Sequence, residues 1–259
     1  MIGGPSVAAV THPLDISDRI VMVTGAARGI GRAVAVGLAD LGARVVVLTR
    51  NAATAEEVAG EITRRRGAGR ALAVVADVTD EEQVAAAVAR VDAHWGRLDG
   101  LINNAGAMVT GRPVLDMDAA EFRSLLETNL VSAFLVTRHA APLMIRGGGG
   151  RIVYMSSKGA VQSLAGASAY GASKAGMNIL SNVVHQELAD QGIRTVAVAP
   201  GLTDTPGMRE VAGADHIARV AATYPGGRVG QPEDLVGLCA YLCSDAGTHL
   251  SGTFVMMRP

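Results

Sequence analysis

Short apolar runs alternate with helical stretches along most of the chain. Runs such as RIVMVTG (19–25) and ARVVVLTR (43–50) are rich in β-branched residues, and each precedes a longer stretch with helical spacing. The runs lack a polar face, as parallel strands do when helices cover both sides of their sheet. The alternation predicts an α/β fold, a doubly wound parallel sheet of about seven strands with helices on both faces.

Composition limits the kind of protein this can be. The chain has 259 residues, 49% of them hydrophobic and 18% charged, and its net charge is −1. These values favour a single globular domain at 19–259, after a flexible N-terminal tail at 1–18. A near-neutral chain without basic blocks argues against a nucleic-acid surface or a membrane-binding patch. No apolar run reaches the roughly 18 residues of a membrane helix, and the tail makes a poor signal peptide, so we expect a cytoplasmic protein.

The cysteines and histidines favour neither a disulfide nor a metal site. Cys239 and Cys243 lie four positions apart on a predicted helix, which suits buried, reduced thiols better than a disulfide bond. The six histidines are scattered without the spacing of metal ligands. We therefore predict no metal site.

A glycine-rich stretch, TGAARGIG (24–31), follows the first predicted strand and opens a helix. Gly25 permits a tight turn, while Gly29 and Gly31 let backbone amides approach a pyrophosphate at the helix N-terminus. The spacing is G-x-x-x-G-x-G rather than the commoner G-x-G-x-x-G. Glycines at helix starts also occur for packing alone, but a strand before and a helix after favour a dinucleotide site.

Polar residues stand at the ends of the second and third strands, where ligands bind in open α/β sheets. The second strand ends in Thr49 and Arg50. A carboxylate at that point would bind a free ribose hydroxyl, whereas arginine suits a 2′-phosphate. Arg28 could join Arg50 there; the alternative is that these are solvated arginines, and we favour the phosphate role. Asp77 ends the third strand and is placed to hold adenine. The pattern predicts that NADP(H) is preferred over NAD(H).

The fourth strand ends in NNAG (103–106). Asparagine side chains can tie neighbouring loop backbones together. Asn103, the first asparagine of the motif, is a predicted cofactor-binding residue. Ala105 and Gly106 are small enough to leave room for a ring system. We therefore expect this loop to contact the cofactor.

Tyr170 and Lys174 lie four positions apart in YGASK (170–174), on one face of a predicted helix. One interpretation is an ordinary surface pair. The other is a proton donor tuned by its neighbour, since an ammonium favours the phenolate and lowers the pKa of tyrosine. Lys158 and Lys174 are the two lysines of a chain rich in arginine. A lysine at this spacing therefore favours the tuned donor.

These motifs together resemble the short-chain dehydrogenase/reductase family over about 19–255, in particular its ketoreductases and 3-oxoacyl-carrier-protein reductases. The motifs TGAARGIG, NNAG, YGASK and Pro200-Gly201, with Ser157 before the tyrosine, stand in family order and at family-like separations. The resemblance implies a Rossmann-like fold in which Tyr170 is the general acid/base. It further implies that Ser157 orients the substrate carbonyl and that Lys174 binds the nicotinamide ribose.

Two more residues and a lid follow from the same resemblance. Asn129, in ETNL (127–130), matches the asparagine that holds a water linking Lys174 to solvent. Thr205 matches the residue that meets the nicotinamide carboxamide. The stretch 206–225 matches the family's variable substrate lid. The predicted cofactor-binding residues are Gly25, Arg28, Gly29, Ile30, Gly31, Thr49, Arg50, Asp77, Val78, Asn103, Ala105, Gly106, Tyr170, Lys174, Pro200, Gly201, Thr203 and Thr205.

The function implied by the resemblance is NADPH-dependent reduction of a ketone or aldehyde to an alcohol. An alcohol dehydrogenase working in the oxidative direction is one alternative, and a non-catalytic NADP(H)-binding regulator is another. The resemblance also implies a homotetramer or homodimer, built on the long helices before and after the fifth strand.

The chain departs from the family pattern in two places. The family often ends its last strand with an Asp-Gly-Gly turn, whereas this chain has VMMRP (255–259) there, which leaves the C-terminal edge and its oligomer contacts unpredicted. Lys158 follows Ser157 directly, where many members carry a small or apolar residue. It is either a charge at the mouth of the pocket that attracts an anionic substrate or an exposed loop lysine, and the sequence favours the exposed loop lysine. The sequence does not name the substrate.

Overall fold

A single parallel sheet lies at the centre of the computed structural model, which describes residues 12–258. Its strands are β1 (Ile20–Thr24), β2 (Arg44–Thr49), β3 (Ala71–Val75), β4 (Gly100–Asn103), β5 (Gly150–Met155), β6 (Ile193–Ala199) and β7 (Thr253–Met256). They are ordered β3-β2-β1-β4-β5-β6-β7, and each neighbouring pair is parallel. The predicted doubly wound sheet of about seven strands is confirmed.

Helices connect the strands and cover both faces of the sheet. They are α1 (Gly29–Asp40), α2 (Ala52–Arg66), α3 (Glu81–Trp95), α4 (Ala119–Leu126), α5 (Ser132–Arg146), α6 (Ser168–Leu188), α7 (Pro206–Ala212), α8 (Ala214–Ala221) and α9 (Val236–Cys243). None of the helices in the described part of the chain has the length and apolar character needed to cross a membrane.

The pleat of the strands divides the core into two layers. Alternate residues of β1 illustrate this, because Val21 and Val23 pack with α1, α2 and α9, while Ile20 and Met22 pack with α3, α5 and α6. All four side chains are nearly inaccessible to solvent. Each such side chain contributes about 1.5–3 kcal/mol through its burial. Burial on both faces explains why the strands read as continuous apolar runs.

The sheet reverses its direction of growth between β1 and β4. From β1 the chain first builds outward through β2 and β3, and it then crosses back to β4 on the other side. The loops that leave β1 and β4 therefore diverge, and they open a crevice at the carboxyl ends of the strands. The crevice is where the structure places the predicted site.

The predicted N-terminal tail is docked over the part that the structure describes. Ile16 is 2% exposed and belongs to the core cluster that contains Val21. The carbonyl of Pro13 accepts a hydrogen bond from Ala246 N at 2.9 Å, and Asp18 N donates to Gly42 O at 3.0 Å. The prediction of a loose tail is thus wrong for 12–18, because one apolar side chain there fills a core position. Residues 1–11 lie outside the described residues.

One turn of π-helix interrupts the long helix predicted between β4 and β5. It spans Glu127–Val131 and joins α4 to α5 without a break in the helical path. Single π-turns widen a helix locally and are frequent at functional sites. Asn129 lies in the middle of this turn.

Candidate active site

A cleft of about 1500 Å³ runs along the carboxyl ends of β1, β2, β4, β5 and β6. The cleft is lined by the glycine-rich loop, the ends of β2 and β3, the loop after β4 and the start of α6. Of the residues predicted to act in catalysis or cofactor binding, all but Asn103 and Asn129 line it. Segments far apart in sequence are thus brought to one cavity by the topology of the sheet.

The glycine-rich loop needs its glycines for two separate steric reasons. Gly25 and Gly29 have φ values of 64° and 55°, a region that favours glycine. A Cβ on Gly25 would lie 2.9 Å from Ala105 Cα, and one on Gly31 would collide with the carbonyl oxygen of Gly25. The loop therefore forms a backbone cradle at the N-terminus of α1, where amides are available to an anion. Such a cradle fits a dinucleotide pyrophosphate.

Asn104 holds this cradle against the loop that follows β4. Its Nδ2 donates to Thr24 O at 2.9 Å and to Gly25 O at 3.3 Å. In return, Thr24 Oγ1 accepts hydrogen bonds from Asn104 N at 3.0 Å and Ala105 N at 2.9 Å. We predicted that an asparagine of NNAG would tie loop backbones together, and Asn104 is the residue that does so.

Asn103, which we predicted to contact the cofactor, does not line the cleft, and its side chain lies in the core. The residue is 2% exposed, and its Nδ2 donates to Thr137 Oγ1 at 3.1 Å inside the α5 layer. Successive side chains of a strand point to opposite faces. As the last residue of β4, Asn103 faces the core, and the loop residue after it faces the cleft.

The end of β2 carries hydroxyl and guanidinium groups rather than a carboxylate. Thr49 is 4% exposed, and its Oγ1 donates to Asn51 O at 2.8 Å. Asn51, which we did not predict, caps α2 by accepting a hydrogen bond from Thr54 N at 3.0 Å. Arg50 is 78% exposed in its side chain and lies 3.9 Å from Asp77.

Asp77 is oriented by its own loop. Its Oδ1 accepts hydrogen bonds from Thr79 N at 3.0 Å and from Thr79 Oγ1 at 2.7 Å. These bonds hold the pKa of Asp77 below its usual value, and the charge of Arg50 adds a smaller effect in the same direction. The carboxylate therefore stays ionised and can accept hydrogen bonds from an adenine amino group.

Arg28 pairs with a residue of the predicted lid. Its NH1 lies 2.7 Å from Glu210 Oε1 on α7, and both side chains are about 60% exposed. Arg28 and Arg50 thus contact different carboxylates in this structure. Glu210 was missed from sequence because nothing local marks it as the partner of a residue 182 positions away.

Three predicted catalytic side chains lie at the end of β5 and on the first turns of α6. Ser157 follows the strand, and its Oγ accepts a hydrogen bond from Gly159 N at 3.1 Å. A Cβ built on Gly159 would lie 3.4 Å from the ring of Tyr170 and 3.5 Å from Ser157 Oγ. Gly159 is therefore flanked by both side chains, which places the serine and the tyrosine at one point of the cleft.

Lys174 is buried and directed into the protein. It is 5% exposed, and its Nζ donates to the carbonyl oxygen of Met155 at 2.7 Å. The same Nζ lies 6.0 Å from the centre of the Tyr170 ring. The i, i+4 spacing thus brings the two side chains together, as predicted, while the strand end supplies the closest partner of the ammonium.

The pKa values of this pair are set by burial. Burial raises the pKa of the Tyr170 phenol above 10.0, and the side chain of Ser157 offsets part of this rise. Burial also lowers the pKa of Lys174 from 10.5 to about 8. We expected the ammonium to lower the pKa of the tyrosine, and the direction here is the opposite, because removal of the phenol from water dominates. Tyr170 is therefore protonated at neutral pH.

Asn129 lies behind the loop that follows β4. It is fully buried, its Oδ1 accepts from Ala107 N at 2.7 Å, and its Nδ2 donates to Ala107 O and Ser173 Oγ. A Cβ on Gly106 would approach Asn129 Oδ1 to 3.0 Å and Lys174 Nζ to 3.5 Å. Asn129 and Lys174 are thus close to the same glycine. Asn129 does not itself line the cleft.

The loop after β6 closes the cleft on the side of the glycine-rich loop. Thr205 caps α7 by accepting a hydrogen bond from Met208 N at 3.1 Å. A Cβ on Gly29 would lie 3.3 Å from the Thr205 side chain. Thr203 is 6% exposed and donates to Gly201 O at 3.0 Å. The loop is thus positioned by its own polar contacts at the place predicted for the nicotinamide.

The remaining part of the cleft is mainly apolar. From the predicted lid, Met208, Val211, Val220 and Tyr224 contribute side chains to its lining, whereas Ile217 is 9% exposed and packs elsewhere. Met108, Thr110, Val161, Gln162, Leu164 and Leu202 line it from other segments. Lys158 is exposed and lies in the same lining. This region is large enough for a substrate and was only partly predicted.

The cysteines are free, and no metal cluster is found in the part of the chain that the structure describes. Cys239 and Cys243 are buried in the α1 layer, where burial raises the pKa of both thiols, that of Cys243 to about 12. Between residues 12 and 258, no three His, Cys, Asp or Glu side chains are grouped as metal ligands.

A doubly wound sheet, a glycine cradle and a Ser-Tyr-Lys set in one cleft define a nicotinamide-dependent oxidoreductase. The family model described as short chain dehydrogenase matches residues 19–215, and the chain belongs to that family. It is therefore an NAD(P)-dependent oxidoreductase of the short-chain type, which confirms the resemblance seen in the sequence.

The matches with individual relatives cover nearly the whole chain. The chain is 41% identical to cis-4-hydroxycyclohexanecarboxylate dehydrogenase of Sinomonas cyclohexanicum, over 92% of this chain and 94% of that protein. It is 36% identical to an NADPH-dependent aldehyde reductase-like chloroplastic protein of Arabidopsis thaliana, over 94% of each. The structure of a 7α-hydroxysteroid dehydrogenase complexed with NADH and 7-oxo glycochenodeoxycholic acid superposes with a TM-score of 0.88. That protein is 32% identical, and the match covers 95% of both chains.

Proposed function

We propose that the protein reduces a ketone or aldehyde to an alcohol, with NADPH as the cofactor and Tyr170 as the proton donor. The observation that carries this proposal is the meeting of Ser157, Tyr170 and the buried Lys174 beside a backbone cradle that fits a pyrophosphate. A bound nicotinamide would supply the hydride. The protein supplies orientation and the proton.

In this proposal each side chain acts on the carbonyl oxygen of the substrate or supports a group that does. Ser157 donates a hydrogen bond to that oxygen and stabilises the negative charge that develops on it. Tyr170 gives its proton to the same oxygen. Its raised pKa keeps Tyr170 protonated at neutral pH, so a proton is present to be donated. Lys174 acts as a charge beside the phenol and as a donor to a ribose hydroxyl.

Asn129 is a positioning residue in this scheme. Its side chain ties Ala107 to Ser173, and Ser173 Oγ in turn donates to Tyr170 O at 2.8 Å. The widened π-turn lets its side chain reach both partners from the helix interior. The water-mediated link to Lys174 stays a prediction.

The preference for NADPH is supported by the end of β2. The turn after β2 consists of Thr49, Arg50 and Asn51 and has no acidic side chain. It therefore offers no carboxylate to bind the ribose hydroxyls of NADH or to repel the 2′-phosphate of NADPH. Arg50 and Arg28 both line the cleft and carry positive charge there. One relative is named for NADPH, while a solved relative was complexed with NADH. Because these relatives are named with different cofactors, the preference proposed here rests on Arg28, Arg50 and the missing carboxylate.

Oxidation of an alcohol is the second candidate. Two of the relatives described above are named as dehydrogenases. The oxidative direction requires the tyrosine as phenolate, which the raised pKa of Tyr170 disfavours at neutral pH. At neutral pH Tyr170 is therefore in the protonated form that reduction requires.

Self-association and a cytoplasmic location belong to the same proposal. Phe134 on α5 and Ile179 and Val183 on α6 are 45%, 64% and 40% exposed. Large apolar side chains on two neighbouring long helices are suited to burial against a second copy. A homodimer or homotetramer built on these helices agrees with the family resemblance.

A screen of carbonyl compounds monitored by NADPH absorbance tests the function. We expect turnover of at least one ketone or aldehyde, with an alcohol as the product and NADP⁺ formed in equal amount. Cofactor binding without turnover of any carbonyl or alcohol would instead support a non-catalytic binding protein.

A further inference from the structure

We propose that Lys158 is the anion-binding residue of the substrate site, and that the substrate is an apolar carbonyl compound bearing a carboxylate. The inference rests on the proposed carbonyl reduction and identifies its substrate class. Lys158 differs from the other basic side chains of the cleft in its ion pairing.

Lys158 has no acidic partner among the described residues. Arg28 and Arg50, which also line the cleft, lie 2.7 Å from Glu210 and 3.9 Å from Asp77. No carboxylate of residues 12–258 lies within salt-bridge distance of Lys158. Its ammonium is thus available to a ligand without first breaking an ion pair.

The turn that carries Lys158 is held in place by hydrogen bonds. The residue opens a short 3₁₀ turn, Lys158–Ala160, directly after Ser157. Its carbonyl accepts from Val161 N at 3.1 Å and from Gln162 N at 3.0 Å, and Ser157 O accepts from Ala160 N at 3.0 Å. Consecutive Cα atoms are about 3.8 Å apart. The ammonium is therefore borne by a fixed backbone next to the residue that orients the carbonyl.

The surroundings of Lys158 favour a particular kind of anion. Apart from Glu210, which is paired with Arg28, the lining near the lid is uncharged and includes Val161, Leu164, Met208 and Val211. A singly charged carboxylate matches one ammonium, whereas phosphate is usually held by several donors or by the planar fork of arginine. An apolar body with one carboxylate complements both the lining and the lysine.

Kinetics on matched substrates test this inference. The probes are oxocyclohexanecarboxylate, its methyl ester and cyclohexanone, which share the ring ketone and differ in charge. We expect kcat/KM for the keto acid to exceed that for the ester, and Lys158→Gln to lower the value for the acid by about tenfold or more. The variant should affect the ester and cyclohexanone much less than the acid, and Lys158→Arg should retain part of the preference.

A second measurement does not depend on turnover of the acid. Cyclohexanecarboxylate, which has no ketone, should inhibit reduction of cyclohexanone competitively, and added salt should weaken the inhibition. Lys158→Gln should abolish that salt dependence. Arg90→Ala removes an exposed positive charge on α3, away from the cleft, and serves as the matched control. Its inhibition constant should equal that of the wild type.

The outcomes separate the two proposals. Equal efficiency on acid and ester, with Lys158→Gln matching the wild type on both, would overturn the carboxylate assignment and leave carbonyl reduction intact. Loss of inhibition in Arg90→Ala as well would assign the effect to net charge and also overturn it. Absence of turnover on all three ketones, together with no inhibition or binding by the acid, would count against both proposals.

Discussion

The two ends of the cleft differ in how the polar and charged side chains in and behind them are held. At the reacting end, Lys174 and Asn129 are 5% and 0% exposed, and their closest partners are backbone atoms of Met155 and Ala107. At the end near β2, the Arg50 side chain is 78% exposed, and that of Arg28 is 61% exposed. Their partners are side-chain carboxylates that are themselves partly in solvent.

This contrast predicts how substitutions act at each end. A buried polar group lies in a medium of low effective dielectric, so its loss leaves a partner unsatisfied and costs much. Exposed ion pairs are screened by water and contribute about 0–1 kcal/mol each. We therefore expect changes at the reacting end to reduce rate by orders of magnitude. Changes at the β2 end should shift cofactor affinity by modest factors.

Replacing the proton donor should have the largest effect. Tyr170→Phe removes one hydroxyl and should lower kcat for carbonyl reduction by at least ~100-fold, because the general acid is lost. NADPH affinity should stay near that of the wild type, since the ring remains. Steady-state rates measure the loss in kcat, and a fluorescence titration measures the affinity for NADPH. Turnover close to the wild-type value would sink the assignment of Tyr170.

The second effect concerns the pH dependence of reduction. Lys174, with a pKa of about 8, is charged below that pH and neutral above it, while Tyr170 stays protonated to higher pH. If the ammonium supports proton transfer, kcat/KM for reduction should fall as the pH rises through 8. Alcohol oxidation needs the phenolate and should gain as the pH rises.

Variants at Lys174 sharpen the pH experiment. Lys174→Arg keeps a charge that does not titrate in this range, but its planar fork cannot reproduce the bond to Met155 O. It should lower the rate well below wild type and remove the inflection near pH 8. A wild-type profile that is flat on both sides of pH 8 would contradict a role for this ionisation.

The third effect tests cofactor choice at the exposed end. The wild type should show kcat/KM with NADPH about tenfold or more above that with NADH, from charge-assisted hydrogen bonds to the 2′-phosphate. Thr49→Asp combined with Arg50→Ala should reverse the order, because a carboxylate repels the phosphate and accepts bonds from a free ribose. The measurement is the initial rate with both cofactors on one ketone.

The control for cofactor choice is Arg50→Ala alone. It should weaken NADPH and leave NADH nearly unchanged. Equal or NADH-favouring efficiency in the wild type would show that these arginines are solvated surface charges.

The smallest effect is expected at the ion pair between the glycine-rich loop and the lid. Glu210→Gln frees Arg28 and removes a negative charge close to it. We expect the KM for NADPH to fall by no more than a few-fold, since the pair is exposed. The KM for NADH should change less. A rise in the KM for NADPH would mean that Glu210 helps to position Arg28 instead of competing for it.

Residues that act through local backbone geometry were predicted well. The positive φ values of Gly25 and Gly29 are properties of one loop, so the sequence pattern was sufficient to identify the turn. The close contacts of these glycines with Ala105 and Thr205 come from other loops. The spacing of Tyr170 and Lys174 is likewise a property of one helix. Both features line the cleft as expected.

Predictions failed where the position of a side chain depended on a one-residue shift along a strand or on contacts with residues far away in the sequence. Asn103 and Asn104 are adjacent and identical in type, yet the pleat turns one into the core and leaves the other at the loop. Ile16 is apolar in a polar stretch, and only the packed fold shows that it fills the core. We predicted a lowered pKa for Tyr170, whereas burial raises it, and helix spacing gives no information on burial.

The sequence by itself determined the class of sheet, the glycine cradle and the facing of tyrosine and lysine on one helix. Each leaves a pattern among residues a few positions apart, namely the alternation of apolar runs and helices, the glycine spacing and the i, i+4 interval. Only the tertiary structure decided that Lys174 bonds Met155, that Arg28 pairs with Glu210 and that Lys158 has no acidic partner within the described residues. Pairing and desolvation depend on groups far apart in the chain, and packing alone brings those groups together.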